Sequence, residues 1–532
     1  MPVKRNHFFA IAVALSALSA CAETFYIWCN PAGGNFEDAA NWKYIESIGP
    51  TAFLNCDPLK RGVMDQLQPA DRCPGESDVV GFGEGSCTIV LNRDATVSEV
   101  FHYTDGKYNN ADRDRTVVMN LNSHTLSLSY LNVVCSAGTA GEFELVVSNG
   151  TLHCDASTGD NDPRVGINSK TWGQRSGRLS FYDVHLDVTR RLSCNVNGFA
   201  PPTSWLRIGK GCTTSAALTE AYGSNGANAT YFVSGEGTRV DAPVTGYGIA
   251  AMTISDGAYV DAQNKPITCA ATSDRLNAVY TVNHATVTNV QQMTCGFRWS
   301  SDYQTLLITN GASVHVNGYL YVGAGNNNTL SGNNRVVVTD GSFLSCSQVE
   351  LGRYQETNNC LIVDNSELET AMVLIGSYSP VTIDGTEYNG TASNNWFLVR
   401  GAAPRVTLSG QNALKLNFGG RLVFEIPANG WAQAPISCTH TYSRVTQEMP
   451  TIPDCACSPN RLEISADEFA RRHPKTRVQL LQLTGQDAAG LSAFADLYVY
   501  TGNPKYAGTV TAGERELWYT SPAAAGLAIF VR

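Results

Sequence analysis

The chain has 532 residues, a formal net charge of −10 and only 16% charged residues, and it contains 48 glycines. This length is too great for one ordinary globular core, so we expect several domains or an elongated array. The negative charge argues against nucleic acid or an anionic membrane as the main partner, because those surfaces attract basic stripes. The abundance of glycine and asparagine, with few long helix-forming runs, is typical of a β-rich protein.

Residues 1–22 have the form of an export signal. Two early cations precede an apolar stretch over residues 8–20, which is too short to span a bilayer. Two processing routes fit the sequence. The residues ACA at 20–22 suit ordinary signal peptidase, whereas LSAC at 18–21 resembles a bacterial lipobox, which would leave a lipid on Cys21. We therefore expect an exported protein, extracellular or on the outer cell surface, with no membrane span in the mature chain.

The chain contains 16 cysteines, which suits an oxidising compartment. Cys56 and Cys73 bracket a loop that contains proline and glycine, and Cys438, Cys455 and Cys457 lie close together in another. We expect local disulfides in these two places, with the pairing left open. A zinc site at CAC (455–457) would need a second pair of ligands, so no metal or other cofactor is predicted.

Two landmarks recur along the middle of the chain. A small residue follows the second apolar run of each unit at intervals of 26, 27, 29 and 24 residues, at positions Ala270, Gly296, Gly323, Gly352 and Gly376. A polar turn follows the first run at intervals of 27, 27, 30 and 24 residues, at positions Asp256, Asn283, Asn310, Asp340 and Asp364. Such a period predicts a repeat architecture in which each unit buries its apolar side against its neighbours.

Apolar residues alternate within each unit, which indicates strands and excludes a helical solenoid. The predicted inward residues stand just before the small residue: Ile267, Cys269, Met293, Cys295, Leu320, Val322, Val349, Leu351, Val373 and Ile375. The residues between them are predicted to point outward: Thr268, Thr294, Tyr321, Glu350 and Leu374. Cys269 and Cys295 lie one period apart and should stack in the core, either as a disulfide or as two buried thiols.

The turn residues have a physical reason. A corner between two strands needs left-handed backbone angles, which glycine, asparagine and aspartate adopt most readily. The small residue after the second strand allows a sharp bend or the close approach of the next coil. Coil length varies by several residues, and we expect asparagine-rich segments such as residues 326–334 to form outward loops that accommodate this variation.

The N-terminal region carries a family resemblance. It contains FYIWCNPAGGNFEDAANWKY, with Trp28 and Trp42 around a glycine turn, and then PGESDVVGF. With the repeats that follow, this resembles the start of large secreted β-helix proteins related to the autotransporter passengers of Gram-negative bacteria. The resemblance implies an all-β, right-handed parallel β-helix (β-solenoid), and it is specific for architecture rather than activity. The C-terminus departs from the family because it does not read as a membrane barrel.

We predict four regions: a signal peptide (1–22), an N-terminal cap (23–84), a parallel β-helix (85–428) and a C-terminal cap domain (429–532). The last should be a small α+β or β-sandwich-like unit. Within it, SADEFARRH predicts a short helix with a capping box formed by Ser465 and Glu468. The last two strands should form a hairpin through PAAAG.

No catalytic residues are assigned. Paired carboxylates of the kind that glycoside hydrolases use are not apparent, and the histidines at 153, 284 and 315 have no repeated partner acid. A candidate ligand strip consists of Tyr319, Tyr321, Tyr354 and Tyr378, on which glycans or surface proteins could pack. We expect an exported, non-enzymatic scaffold or adhesin-like protein. The alternative is a polysaccharide lyase, a glycoside hydrolase or a glycan-binding protein on the same β-helix.

Overall fold

The computed structural model describes residues 24–46, 66–82, 85–104, 115–135, 142–155, 165–169, 176–189, 191–196, 204–219, 229–245, 251–269, 278–297, 303–324, 332–353, 356–376, 380–383, 386–389, 394–417, 419–448 and 459–524. The predicted signal peptide and Cys21 lie outside the described residues.

The chain is nearly all β, and its strands form long parallel ladders, as in an all-β solenoid. Each ladder joins a strand to the strand about one repeat later. Val322 is in register with Leu351, and Leu351 is in register with Ile375. All three side chains are fully buried. The predicted stacking of aliphatic side chains from successive coils is therefore confirmed.

Three ladders run along the solenoid, and some long strands bend at a corner and contribute to two of them. The first ladder contains Gly34–Asn35, Cys87–Val90, Arg115–Asn120, Glu142–Cys154, Ser176–Val188, Ser204–Ile208, Ala229–Ser234, Ala251–Ser255, Val279–Asn283, Thr305–Thr309, Arg335–Val338, Cys360–Asp364, Trp396–Arg400, Arg421–Glu425, Arg461–Ser465 and Tyr498–Tyr500. The second contains Ala95–Thr96, Thr125–Leu128, Glu142–Cys154, Ser176–Val188, Thr213–Thr214, Arg239–Asp241, Tyr259–Cys269, Thr286–Phe297, Ser313–Val316, Phe343–Arg353, Glu367–Ile375, Arg405–Leu408, Ile436–Cys438 and Arg477–Leu483. The third consists of two stretches that no strand pairing within the described residues joins: Phe25–Trp28, Val79–Phe82, Glu99–Thr104, Tyr130–Cys135, Val165–Ser169, Arg191–Val196, Ala217–Thr219 and Val244–Thr245, and then Tyr259–Cys269, Thr286–Phe297, Tyr319–Ala324, Phe343–Arg353, Glu367–Ile375, Asn412–Asn417 and Arg444–Glu448. A separate antiparallel pair consists of Pro380–Ile383 and Thr386–Asn389.

The outer side of the third ladder is more covered than the alternation predicts. Tyr321, Glu350, Thr268 and Thr294 point away from the aliphatic core, yet each side chain is buried, with exposed fractions of 1–9%. Tyr321 stacks on the Tyr319 ring. Alternation along a strand therefore identifies the core side correctly but does not show whether other parts of the chain cover the opposite side.

The first corner of each coil uses the predicted left-handed backbone, with two corrections of position. Asp256, Asn310 and Asp340 have φ values of 57–58°. In the other two coils the left-handed residue comes one position later than predicted, at His284 and Asn365, with φ values of 48° and 49°. The ladder register places these two residues at the corner, so the register decides which residue takes the strained conformation.

The Asn283 and Asp364 predictions were therefore wrong in position. Both residues end strands of the first ladder instead, and Asp364 accepts a hydrogen bond from Arg400 Nε at 2.8 Å.

Three asparagines on successive coils form a buried ladder of amides beside the recurring glycines. Asn334 Nδ2 donates to Asn359 Oδ1 at 3.0 Å, and Asn359 Nδ2 donates to Asn395 Oδ1 at 3.0 Å. All three side chains are fully buried. A Cβ atom at Gly323 would overlap the Asn359 amide, and one at Gly352 would overlap the Asn395 amide. Each glycine thus leaves room for an asparagine of another coil.

We expect residues 326–334 to form an outward loop, and residues 326–331 of that segment lie outside the described residues. Asn334 ends that segment inside the core, where its Oδ1 accepts a hydrogen bond from the Gln304 amide at 3.1 Å. Stacked amides satisfy one another from coil to coil, so a polar side chain can be buried here without an unmet hydrogen bond along the ladder.

The N-terminal edge of the solenoid is covered by an antiparallel strand. Phe25–Trp28 pairs in parallel with Val79–Phe82 on one side and antiparallel with Trp42–Ile45 on the other. The rings of Trp28 and Trp42 meet edge to face, with centroids 5.0 Å apart. Gln68–Pro69 adds a further antiparallel strand beyond Trp42–Ile45. The third ladder therefore does not begin with an open parallel edge.

The PGESD motif forms a buried carboxylate site that anchors this end. Asp78 is 1% exposed and accepts hydrogen bonds from the Gly75 amide at 2.6 Å and from Arg72 Nη1 at 2.5 Å. The Arg72 guanidinium also lies 5.1 Å from the Tyr26 ring centroid. A buried charge is tolerated here because it is paired and hydrogen-bonded.

Parallel pairing continues past residue 428, where we placed the end of the solenoid. Ile436–Cys438 pairs with Arg405–Leu408, and Arg461–Ser465 pairs with Arg421–Glu425. Arg477–Leu483 then pairs in parallel with Ile436–Cys438. The ladders therefore cross the expected boundary, because the apolar alternation needed for stacking persists in these later strands.

The described part of the last region contains two helices. They are Asp467–Arg472 and Ala488–Ala495, and there are 3₁₀ turns at Ala39–Asn41 and Pro504–Tyr506. The predicted capping box is wrong, because the first helix begins after Ala466 without a side-chain cap. Glu468 instead forms ion pairs with the two arginines of the last turn at 2.6 and 2.7 Å.

An antiparallel hairpin closes the described part of the C-terminal region. Thr509–Ala512 pairs with Glu516–Thr520, which also pairs antiparallel with Arg477–Leu483. The hairpin that we predicted through PAAAG extends outside the described residues.

We predict that G352A destabilises the protein more than G341A does. Gly352 and Gly341 have nearly the same left-handed φ, 72° and 70°, so both variants incur a similar backbone penalty of about 1–2 kcal/mol. A Cβ at position 341 meets nothing within 4 Å, whereas one at 352 overlaps the buried Asn395 amide. The overlap should add about 1–3 kcal/mol. Urea unfolding of both variants measures the difference, and equal losses would show that the amide ladder does not require the glycine.

Candidate ligand-binding face

A cluster of aromatic and arginine side chains lies on the outer side of the first ladder. Arg178 is in register with Trp205, and Arg207 is in register with Phe232 one coil later. Tyr182 lies on the same side of the strand that carries Arg178. These five residues, the Trp205 cluster, point outward because they alternate with inward aliphatic residues along their strands.

The side chains of the Trp205 cluster hold one another in place. The guanidinium carbon of Arg178 lies 3.8 Å from the Trp205 ring centroid, and that of Arg207 lies 5.2 Å from it. The Phe232 ring meets Trp205 edge to face at 6.2 Å. Arg207 also donates to the Tyr182 hydroxyl at 3.1 Å. All five residues are partly exposed, so this packed surface is accessible from solvent.

A buried serine fixes the orientation of the indole. Ser180 is fully buried beneath the cluster and accepts a hydrogen bond from Trp205 Nε1 at 3.2 Å. The Ser180 hydroxyl in turn donates to Glu144 Oε1 at 2.6 Å. Because the indole N–H is already engaged, the indole contributes its aromatic surface and the two arginines contribute positive charge. Such a surface suits a sugar ring that carries an anionic group.

A polar groove lies around the corner from the Trp205 cluster, on the coils that carry Tyr182 and Trp205 and on the two coils before them. Its volume is about 480 Å³, and its lining residues are Ser123, Asn149, Gly150, Thr151, Asp183, His185, Gly211 and Thr213. Asn149 and Asp183 occupy the left-handed corner positions, with φ values of 57° and 53°. His185 Nδ1 and Thr213 Oγ1 lie 2.8 Å apart. Hydroxyl, amide and carboxylate groups in this arrangement can exchange hydrogen bonds with sugar hydroxyls.

An exposed His–Asp pair lies beyond the groove on the second ladder. His153 Nδ1 is 2.7 Å from Asp187 Oδ2, and Ser127 is aligned with His153 on the preceding coil. His153 therefore has a partner acid one coil later, which the spacing of the sequence does not reveal. Within the described ranges no hydrogen bond joins Ser127 to His153. The arrangement orients an imidazole but does not present an activated serine nucleophile.

The structure describes two residues of the predicted tyrosine strip, and only one of them is exposed. Tyr319 is 43% exposed and stacks on Tyr321 with ring centroids 5.5 Å apart, but Tyr321 itself is only 7% exposed. Tyr354 and Tyr378 lie outside the described residues. Tyr321 is therefore a covered residue of the third ladder and offers little surface to a ligand.

The other two histidines singled out in the sequence have local roles. His284 occupies a corner, and His315 lies within 2.9 Å of the hydroxyls of both Ser313 and Ser345. In the part of the chain that the structure describes, no three His, Cys, Asp or Glu side chains group together as a metal site would require. The described helices include none with the length and apolar character needed to cross a membrane.

The cysteines that the structure describes do not form disulfides with one another. Cys73 and Cys438 are thiols, and their predicted partners Cys56, Cys455 and Cys457 lie outside the described residues. Cys269 and Cys295 are in register and buried, as predicted, but they stack as two thiols rather than as a bridge. In-register positions on neighbouring parallel strands do not favour disulfide geometry.

Burial strongly suppresses ionisation of the core thiols. Desolvation raises the pKa of Cys154, Cys295, Cys346 and Cys438 to about 12 in each case. These groups therefore behave as small apolar side chains, and reactive thiol chemistry is not expected at the stacked positions.

Comparison with known proteins gives no relative: no family profile, no curated protein and no solved structure matches this chain.

Sequence reasoning missed the Trp205 cluster. Its signal is present in the strand segments GRLSFY, SWLRI and TYFV, in which arginine or an aromatic residue occupies outward positions on three successive coils. The long and unequal segments between these strands hide the period, so the outward positions cannot be aligned without the ladder register.

The raised thiol pKa values predict that stability falls with rising pH. An unfolded cysteine ionises near pH 9, whereas Cys346 in the fold keeps its proton to about pH 12. The unfolded state therefore loses protons first, and the stability present below pH 9 declines between pH 9 and pH 12. In C346A that decline should be shallower by up to about 1.4 kcal/mol per pH unit. Urea unfolding from pH 8 to 11 under reducing conditions measures the two slopes, and identical slopes would contradict the prediction.

Proposed function

We propose that this chain is an exported, non-enzymatic β-solenoid that serves as an extracellular or surface scaffold and binds glycans in an adhesin-like manner. The observation that carries the proposal is the Trp205 cluster next to the polar groove. Together they offer an aromatic surface, two guanidinium groups and several hydroxyl, amide and carboxylate groups on five successive coils, two of which carry residues of both.

The chemistry of these coils favours an acidic glycan. The stacked arginines supply local positive charge on a protein whose formal net charge is −10. Guanidinium groups pair with carboxylates and sulfates, and the indole face packs against the apolar face of a sugar ring. A glycan with uronic acid or sulfated units therefore matches the site better than a neutral one.

The broader setting of the proposal comes from the sequence. The export signal at residues 1–22, with lipidation at Cys21 as one processing route, would place the protein outside the cell. The N-terminal resemblance supports right-handed winding of the coils and a relation to autotransporter passengers.

A glycan array tests the proposal directly. Wild-type protein should bind acidic glycans more tightly than neutral ones, and W205A should weaken that binding at least about tenfold by removing the stacking surface. W518A is the matched control. Trp518 is also partly buried and has the Arg477 guanidinium 4.6 Å from its ring centroid. It lies in the C-terminal hairpin, away from the Trp205 cluster. Equal binding by wild type and W205A, or no binding to any glycan, would contradict the proposal.

A polysaccharide-acting enzyme remains the alternative, and it predicts a different result. It would release reducing ends or unsaturated sugars from the glycans that the protein binds. The candidate acids near the groove are Asp183 and Asp187. Product formation that is lost in D183N or D187N, with binding retained, would favour the enzyme over the scaffold.

A further inference from the structure

A second surface on the first ladder consists of five aliphatic side chains that point outward on five successive coils. Leu307 is in register with Val337, Val337 with Ile362, Ile362 with Leu398, and Leu398 with Val423. We call this set the outer stripe. At about 4.8 Å per coil it is roughly 19 Å long.

The outer stripe is unusual for the outside of a strand. The same position in neighbouring coils holds Thr253 and Thr281 before the stripe and Glu463 after it. Leu398 is 7% exposed and adds little accessible surface itself, whereas the other four members are partly exposed. A contiguous apolar surface bounded by polar residues marks an interaction site.

We propose that the outer stripe is where two copies of this chain pack together, antiparallel, about a twofold axis that passes through Ile362. This inference is independent of the proposed glycan function. An isologous interface requires one surface to complement itself. The stripe meets that requirement, since rotation about Ile362 places Leu307 opposite Val423 and Val337 opposite Leu398. Each leucine then faces a valine, so a larger side chain meets a smaller one.

A second row of residues lies two positions before the stripe on each strand. The same rotation places complementary side chains of this row opposite one another. Arg335, Cys360 and Trp396 are in register on three successive coils, with Cys360 level with Ile362. The twofold axis therefore places the exposed Arg335 of one copy next to the partly exposed Trp396 of the other, whose ring centroid already has the Arg421 guanidinium of its own chain 5.6 Å away. An arginine above an indole ring is a favourable contact.

Arg421 does not oppose the packing, because it is already paired. It donates to both oxygens of Glu463 at 2.8 and 2.6 Å. On the other side of the stripe, Asp364 would face its own copy, but each Asp364 accepts from Arg400 at 2.8 Å. The charges nearest the axis are thus compensated within each chain.

The antiparallel arrangement also leaves the Trp205 cluster accessible. Coils on the N-terminal side of Ile362 outnumber those on the C-terminal side, so the cluster would lie beyond the last coil of the partner. A parallel pair would instead bring the two Trp205 clusters face to face, with their arginines opposed.

The overlapping part of the two ladders is large enough for a weak dimer. About nine coils would overlap, which gives a contact roughly 43 Å long and about 15 Å wide on each copy. This corresponds to about 1,300 Å² of total buried surface, near the lower end of stable interfaces. We therefore expect a dimer that dissociates on dilution.

Sedimentation velocity over about 1–100 µM tests for the dimer. Wild type should shift from monomer to dimer with concentration, and I362K should stay monomeric, with the dissociation constant raised at least about 100-fold. V118K is the matched control, because Val118 holds the same outward position in a coil outside the overlap. Thermal unfolding of all three checks that the fold is intact.

Disulfide trapping distinguishes the arrangements. A mixture of L307C and V423C chains should form a cross-linked dimer between the two variants, whereas each variant alone should not cross-link above the wild-type background. Cross-linking of L307C to itself would indicate the parallel arrangement and overturn the antiparallel proposal. If the wild type is monomeric at every concentration, the dimer proposal is overturned. If I362K then also has a lowered melting temperature, another segment of the same chain covers the stripe.

Discussion

Hydrogen bonding of each coil to the next, in register along the core-forming strands, is the constraint on which the rest of this protein depends. Side chains alternate along a strand, so a slip of one residue would turn every inward aliphatic side chain outward. The buried column of Val322, Leu351 and Ile375 shows the register that results. No coil could bury these residues alone, because each supplies only one layer of the core. Stability is therefore shared between neighbouring coils.

The corners and the amide ladder maintain this register where the chain turns. A left-handed residue lets the backbone bend without losing the stacked hydrogen bonds, and buried asparagines tie the same position of successive coils together. Glycines such as Gly352 make room for those amides. The result is a stiff support on which outward side chains repeat at a spacing of about 4.8 Å. The Trp205 cluster and the outer stripe lie on different coils of one ladder on that support.

The predictable part of the fold follows from local chemistry. Alternating aliphatic residues and recurrent Asx–Gly corners identified the parallel stack and its inward residues. The errors arose where a non-local contact decides the outcome. His284 takes the corner in place of Asn283 because the ladder register pairs Asn283 with Ser255 and Thr309. Tyr321 is covered although it points outward. The Ser465 cap failed because the preceding strand continues through Ser465 in the first ladder.

The sequence by itself determined the β-solenoid class, the inward aliphatic columns and the turn chemistry, because these depend on period-two alternation and on residues that tolerate left-handed angles. Only the tertiary structure decided which outward side chains meet. Arg178 and Trp205 are 27 residues apart, and His153 and Asp187 are 34 apart. Unequal segments between strands conceal those partnerships in the chain, and stacking places the partners on adjacent coils.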